Sequence, residues 1–383
     1  MVFSGTARSC EHLVFPHLFV PAMSEISPQS DNNRSPVLDI WYVCPMSLCN
    51  FDCAYCASGI PENGGMRSRR EEWKGEGSRE NFDKVVLWLA HLPFRLNLKI
   101  ITAGEPLVSW DLLKALATLA RLPHINFVDT SSNGSLITKR LPRLLDEFSC
   151  PPRKLSLWIT WHSTQIEAEA LLAQAKFAHD NDVNVTVNTL LFADNHDEVR
   201  MMAERCSALG LRFHAGFGFN SNEAFEGSPF VTARDSTRTR ELIERIEGLG
   251  FHHQLSTLAL IGLHNPKGLP CSAGQNYLFV APNGDIFPCS TYARQTPNRI
   301  IGSALDKNFI PPMASELLPC SAEYGCVCQE DFTHLTPGPQ EEREHPSLLS
   351  PWRHSSPQFP NSEVVRRLQM LHKTPLLTQL GVE

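Results

Sequence analysis

Between residues 37 and about 250 the chain alternates two kinds of hydrophobic pattern. Short apolar runs at Leu38–Val43, Leu96–Thr102, Ile125–Thr130, Leu155–Thr160, Val183–Phe192 and Leu211–Phe217 read as buried strands. The segments Arg79–Leu92, Ser109–Leu122, Thr138–Phe148, Ile166–Asn181, Asn195–Leu209 and Ser236–Leu249 carry apolar residues at helical spacing. In the second of these, Leu112, Leu113, Leu116 and Leu119 fall on one face, and Ser109 stands where an N-cap belongs. Six strand–helix units in a row imply parallel strands joined by right-handed crossovers. The candidates are a doubly wound sheet or a barrel, full or partial. In either case functional groups collect at the C-terminal ends of the strands.

The pattern changes outside this region. Residues 1–36 show no periodicity and read as a flexible N-terminal arm. Ala57–Ser78 is polar and reads as a mobile loop. Residues 251–330 hold short strand and turn signals with five cysteines. Among them Tyr277–Val280 and Asp285–Phe287 flank Pro282-Asn283-Gly284, a β-hairpin signal. Residues 331–383 are Pro-rich and read as a tail with one short helix, Glu363–Leu371.

Composition narrows the class. With 383 residues, 42% of them hydrophobic and 20% charged, the chain can bury a large core. A net charge of −7 argues against a nucleic-acid binder. No apolar run approaches the roughly 20 residues of a membrane span. The apolar patch Leu13–Met23 is broken by Pro16, His17 and Pro21 and is not read as a signal peptide. The twelve cysteines cluster in two places at spacings that suit metal ligation better than bridges, so thiols in the cytoplasm are expected.

The chemistry is concentrated after the first strand. Cys49, Cys53 and Cys56 stand at C-x3-C-x2-C spacing. Three thiolates in a tight loop can grip an iron–sulfur cubane and leave one of its four irons open to a small molecule. A zinc site completed by a fourth ligand is the alternative. The next strand ends carry Ala103-Gly104-Glu105-Pro106, Ser132-Asn133-Gly134 and His162-Ser163. Each alone reads as a turn; in register with the cysteines they read as a site.

Cys49-x3-Cys53-x2-Cys56 with Tyr55 before the last cysteine resembles the signature of radical S-adenosylmethionine (SAM) enzymes. The resemblance implies a partial (β/α)6 TIM-like barrel with a small cysteine-rich C-terminal extension. It implies that Cys49, Cys53 and Cys56 ligate a [4Fe–4S] cluster whose open iron binds SAM, and that SAM is cleaved reductively to a 5′-deoxyadenosyl radical. Tyr55 would lie near the adenine. Gly104, Glu105 and Pro106 resemble the Gly-Gly-Glu motif that meets the SAM amino group, with Ala103 in place of the first Gly. Ser132 and Asn133 resemble the segment near the ribose. Ser163 and Asn188 are further SAM candidates.

Cys271, twelve residues, Gly284, four residues and Cys289 resemble the opening of the SPASM/twitch extension, which carries auxiliary clusters. One auxiliary [4Fe–4S] cluster is expected, ligated by Cys271, Cys289, Cys326 and Cys328, with Cys320 as a further candidate. Such enzymes often modify peptides or proteins, and a peptide or protein substrate is the first expectation. A small metabolite or nucleoside is the second, and a non-catalytic electron-transfer or redox-sensing protein the third. An external reductant of flavodoxin or ferredoxin type is implied. His162, His214, Asp285 and Asn220 are candidates at the barrel mouth. Cys44 reads as a buried structural cysteine, and with Cys320 it is the candidate for returning a hydrogen atom.

Overall fold

The computed structural model describes residues 37–53, 56, 72–73, 75, 77–191, 195–217, 219–220, 231–232, 266–296, 298–321 and 334–335. The arm 1–36, Tyr55, Cys326, Cys328, the expected helices Ser236–Leu249 and Glu363–Leu371, and the side chain of Asn220 lie outside the described residues.

Six parallel strands form the frame: β1 (Val37–Cys44), β2 (Arg95–Thr102), β3 (Ile125–Ser132), β4 (Leu155–Trp161), β5 (Asn184–Leu191) and β6 (Arg212–Phe217). Five helices connect them: α1 (Ser78–His91), α2 (Trp110–Arg121), α3 (Ile137–Asp146), α4 (Ala168–Asp180) and α5 (His196–Ala208). The six expected strands and the first five expected helices are present, with ends shifted by one or two residues. Ser109 caps α2, its Oγ accepting the Leu112 N–H at 3.2 Å.

Alternate residues of each strand serve two different interiors. Leu38, Ile40 and Tyr42 of β1 and Leu96, Leu98 and Ile100 of β2 pack outward against Phe82, Val85, Trp88, Leu112 and Leu116 of the helices. Burying each such side chain is worth about 1.5–3 kcal/mol. Trp41 of β1 and Trp158 of β4 belong to a second, inner cluster on the other face of the sheet.

The cysteine-rich segment does not stand apart. After the short pair β7 (Phe219–Asn220) and β8 (Val231–Thr232), and the strand β9 (Pro270–Cys271), the predicted hairpin forms as β10 (Tyr277–Val280) and β11 (Asp285–Phe287). Its turn closes with Gly284 N–H donating to the Ala281 carbonyl at 2.9 Å. Strand β10 then pairs in parallel with β1, Asp39 opposite Tyr277 and Tyr42 opposite Val280. A helix α6 (Ser290–Gln295) and the strands β12 (Gly302–Ser303) and β13 (Leu318–Pro319) follow. The result is one nine-stranded sheet in the order β12-β11-β10-β1-β2-β3-β4-β5-β6. Among the described residues β6 and β12 are its free edges, so the barrel is partial. Two residues expected in the Pro-rich tail, His334 and Leu335, are instead buried in the core, Leu335 bridging to Cys271. Among the described residues no helix is long and apolar enough to cross a membrane.

Candidate active site

The loop after β1 is tied to the ends of three neighbouring strands. Against β2, the Ala103 N–H donates to the Met46 carbonyl at 3.1 Å and the Glu105 N–H to the Leu48 carbonyl at 2.9 Å. This backbone pairing leaves no room for a side chain at Gly104. A Cβ there would lie 2.6 Å from the Leu48 carbonyl carbon, and closer still to its oxygen. The close approach therefore falls on the second position of the motif, and Ala103 beside it is accommodated half-exposed.

Against β3, Asn50 and Asn133 form a ring of amides. Asn133 Nδ2 donates to Asn50 Oδ1 at 2.9 Å, Asn50 Nδ2 donates to Ser135 Oγ at 2.9 Å, and Ser135 Oγ donates back to Asn133 Oδ1 at 2.7 Å. Gly134 turns the chain at φ +74, where a Cβ would strike the Ile159 side chain. Against the end of β4, Gln165 grips Asp52 at both backbone groups, accepting its N–H at 3.0 Å and donating to its carbonyl at 3.2 Å. His162 meets Phe51 edge-on, ring centres 6.2 Å apart. Within the loop, Cys56 N–H donates to the Cys53 carbonyl at 3.1 Å and Phe51 N–H points at Cys49 Sγ at 3.4 Å, which orients that sulfur.

Glu105 is the hub beneath this loop. It is fully buried; its Oε1 accepts from Leu107 N–H at 3.0 Å and Ser132 Oγ at 2.8 Å, and its Oε2 from Asn133 N–H at 2.6 Å. Burial pushes its carboxyl up to about 7, against the pull of the Asn133, Leu107 and Ser132 hydrogen bonds. An ionised carboxylate offers about four acceptor sites, so one stays open to a further donor. Burial also pushes His162 down to about 4, so its ring is neutral near pH 7.

Other candidates lie elsewhere. Asn188 and His214 sit deeper in the barrel: His214 Nδ1 is 2.9 Å from Asn188 Oδ1, Asn188 Nδ2 donates to Thr160 Oγ1 at 3.3 Å, and the His214 ring packs on Trp158. This inner wall also carries the Lys99–Asp129 ion pair at 2.7 Å and half-buried Arg212, which burial lowers to about 10 and Asp129 partly restores. Ser163 is exposed in the turn after β4, and buried Pro106 opens a short turn leading to α2. Asp285 is engaged by Asn283 Nδ2 within the hairpin turn. Cys44 faces the outer core, and burial holds its thiol up to about 12.

In the second cysteine group, Cys271 and Cys289 share the inner cluster with Trp41, Tyr277, Phe279 and Phe287, and Cys320 packs against it. Asn50, Ser135 and Gln165 are the site residues that the sequence did not single out. Ser135, adjoining Ser132-Asn133-Gly134, and Asn50, inside the cysteine motif, had a local signal; Gln165 had none.

Residues 43–206 match the radical SAM superfamily model. A GTP 3′,8-cyclase of Xanthomonas axonopodis pv. citri (strain 306) is 27% identical over 117 residues, 30% of this chain and 32% of that protein. A GTP 3′,8-cyclase of Stenotrophomonas maltophilia (strain K279a) is 26% identical over 271 residues, 63% of this chain and 76% of that protein. The chain thus spans about a third of the first relative and three quarters of the second. Among solved structures, Streptococcus suis SuiB bound to S-adenosylmethionine is similar at 16% identity and TM-score 0.48, covering 72% of this chain and 65% of that one. The clamped cysteine loop lies inside the residues that match the radical SAM superfamily model.

The residues present fit the groups that such a domain holds. Three thiols spaced along a loop match three corners of a cubane, each corner being a separate iron. Among the described residues no three His, Cys, Asp or Glu side chains converge closely enough to hold a single metal ion.

Proposed function

We propose that the chain is a radical SAM enzyme. Cys49, Cys53 and Cys56 hold three irons of a [4Fe–4S] cluster and leave the fourth for SAM. Bound together and reduced by one electron, cluster and SAM supply a 5′-deoxyadenosyl radical that abstracts a hydrogen atom from substrate. The single observation that carries this reading is the clamp: a three-cysteine loop hydrogen-bonded to the ends of β2, β3 and β4 at the motifs that resemble the SAM-binding segments.

The protein's part is positioning. Glu105 fixes the end of β3 and keeps an acceptor site for the SAM ammonium. Bare Gly104 lets the backbone approach. Asn50, Ser135 and Gln165 hold the thiol loop against these strand ends. Neutral His162 screens Phe51 without adding charge. An external one-electron reductant of flavodoxin or ferredoxin type feeds the site. Cys271 and Cys289 hold a further cluster beside the apolar nest around Trp41 and Phe279, with Cys326 and Cys328 completing its four ligands and Cys320 packed alongside.

For the substrate, the inner wall favours a small charged molecule of nucleotide type. Lys99, Asp129, Arg212, Asn188 and His214 present polar and ionic groups where a purely apolar lumen would bind only apolar matter. The relatives named for GTP cyclisation agree with this. A peptide or protein substrate is the second reading, supported by the spacing of Cys271 and Cys289.

The test is anaerobic reconstitution, reduction and chromatography for 5′-deoxyadenosine, first with nucleoside triphosphates and then with peptide libraries. Iron-loaded protein that releases no 5′-deoxyadenosine overturns the reading and leaves a redox protein. Deuterium moving from labelled substrate into 5′-deoxyadenosine identifies the substrate class.

A further inference from the structure

Behind the second cysteine group lies a buried polar array that the proposed reaction does not use. Asp39, on the inner face of β1, accepts from Asn97 Nδ2 at 2.7 Å. Its other carboxylate oxygen stands 3.5 Å from His334 Nε2. The opposite ring nitrogen, Nδ1, is 3.0 Å from Ser272 Oγ. The His334 ring lies flat on Tyr277 of β10, centres 4.1 Å apart and 6° from parallel. The backbone repeats the link: Ser272 N–H donates to the His334 carbonyl at 3.0 Å, and Leu335 bridges Cys271. Asp39, Ser272 and His334 are each at most 4% exposed.

The array joins three distant parts of the chain at one point: the first barrel strand, the residue after Cys271 and the chain at His334. A carboxylate and hydrogen-bonding groups buried together hold one geometry, because any displacement leaves a desolvated polar group without its partner. Cys271 is adjacent in sequence to Ser272 and packs in the same cluster as Tyr277 and Leu335. Its position is therefore set from three sides.

We propose that Asp39, His334 and Ser272 are positioning residues for the auxiliary cluster, holding Cys271 in ligating position against the barrel. The proposal rests on the reading that such a cluster is present. Its role is comparable to the outer hydrogen bonds that orient ligands at other metal centres.

The experiment begins from the full chain with Cys49, Cys53 and Cys56 all changed to Ala, so that only auxiliary iron remains. Iron and sulfide are counted after anaerobic reconstitution, and iron loss to a chelator is timed. Two variants are added to this background. Ser272→Ala removes one hydroxyl, and His334→Phe keeps the ring on Tyr277 but removes both ring nitrogens. Loss of one buried hydrogen bond predicts about fivefold faster iron release for Ser272→Ala, with a larger increase for His334→Phe. The electron paramagnetic resonance signal of the reduced cluster should also shift in g-values, which a merely weakened fold would not cause.

Release rates and g-values equal to the starting protein overturn the proposal. No iron in the starting protein overturns the auxiliary cluster itself. If His334→Phe does not fold, as read by circular dichroism, Ser272→Ala decides alone.

Discussion

A methyl group added at Gly104 tests the clamp most directly. The new Cβ would press on the backbone of Ser47 and Leu48, 2.7 and 2.6 Å from their carbonyl carbons. Backbone cannot rotate away as a side-chain tip can. The loop must retreat, and the bonds from Ala103 to Met46 and from Glu105 to Leu48 stretch or break. Two hydrogen bonds at about 1 kcal/mol each, with an overpacking cost of about 1–3 kcal/mol, give roughly 3–5 kcal/mol. Gly210→Ala is the control: its φ is +70 and nothing lies within 4 Å, so only the left-handed strain of about 1–2 kcal/mol applies. The assay is denaturant unfolding of the apoprotein, followed by iron content after reconstitution. Gly104→Ala should unfold at lower denaturant than the control and hold less iron at the triad. If Gly210→Ala costs as much as Gly104→Ala, or if Gly104→Ala loads iron fully, the steric reasoning is wrong.

Three further perturbations address the same frame. Burial raises Glu105 from an ordinary 4.5 to about 7, so the folded protein holds this proton more tightly than the unfolded chain. The associated stability is full below 4.5 and is lost as pH rises through about 7; Glu105→Gln should flatten that decline, and an unchanged profile argues against it. Gln165→Ala removes both exposed bonds to Asp52; unfolding should change by at most about 1 kcal/mol, while triad iron leaves several-fold faster to a chelator, and equal rates would show the clamp idle on that side. Asp129→Leu deprives nearly buried Lys99 of its carboxylate, which should cost about 3–5 kcal/mol; a neutral result by denaturant titration would mean that Lys99 finds full compensation elsewhere.

The barrel was legible because parallel strands buried on both faces spell continuous apolar runs, and their helices spell a helical period. The Ser109 cap and the Pro282-Asn283-Gly284 turn are local devices and were read where they stand. The cysteine triad was equally local. The clamp was not, since Gln165 and Asp52 are 113 positions apart and meet only once the strand order is set. Nothing at Gln165 marks it beyond a polar side chain after a strand. The hairpin could be read, but its partner strand could not, because any apolar strand could have received β10. His334 and Leu335 were hidden by their Pro-rich neighbours, whose composition outweighed two residues of core.

The parallel pairing of β10 with β1 has a consequence for how the chain reaches its fold. Asp39 leaves the ribosome first, and its partner Tyr277 follows about 240 positions later. Until then one side of β1 is an unsatisfied row of backbone donors and acceptors, beside the apolar Trp41. Such long-range pairing is slow, and the waiting edge invites pairing with other chains. A chain ended before Tyr277 keeps the six-stranded frame and loses the strand that pairs with the edge of β1. Its fate in the cell is then set by the time that β1 spends exposed.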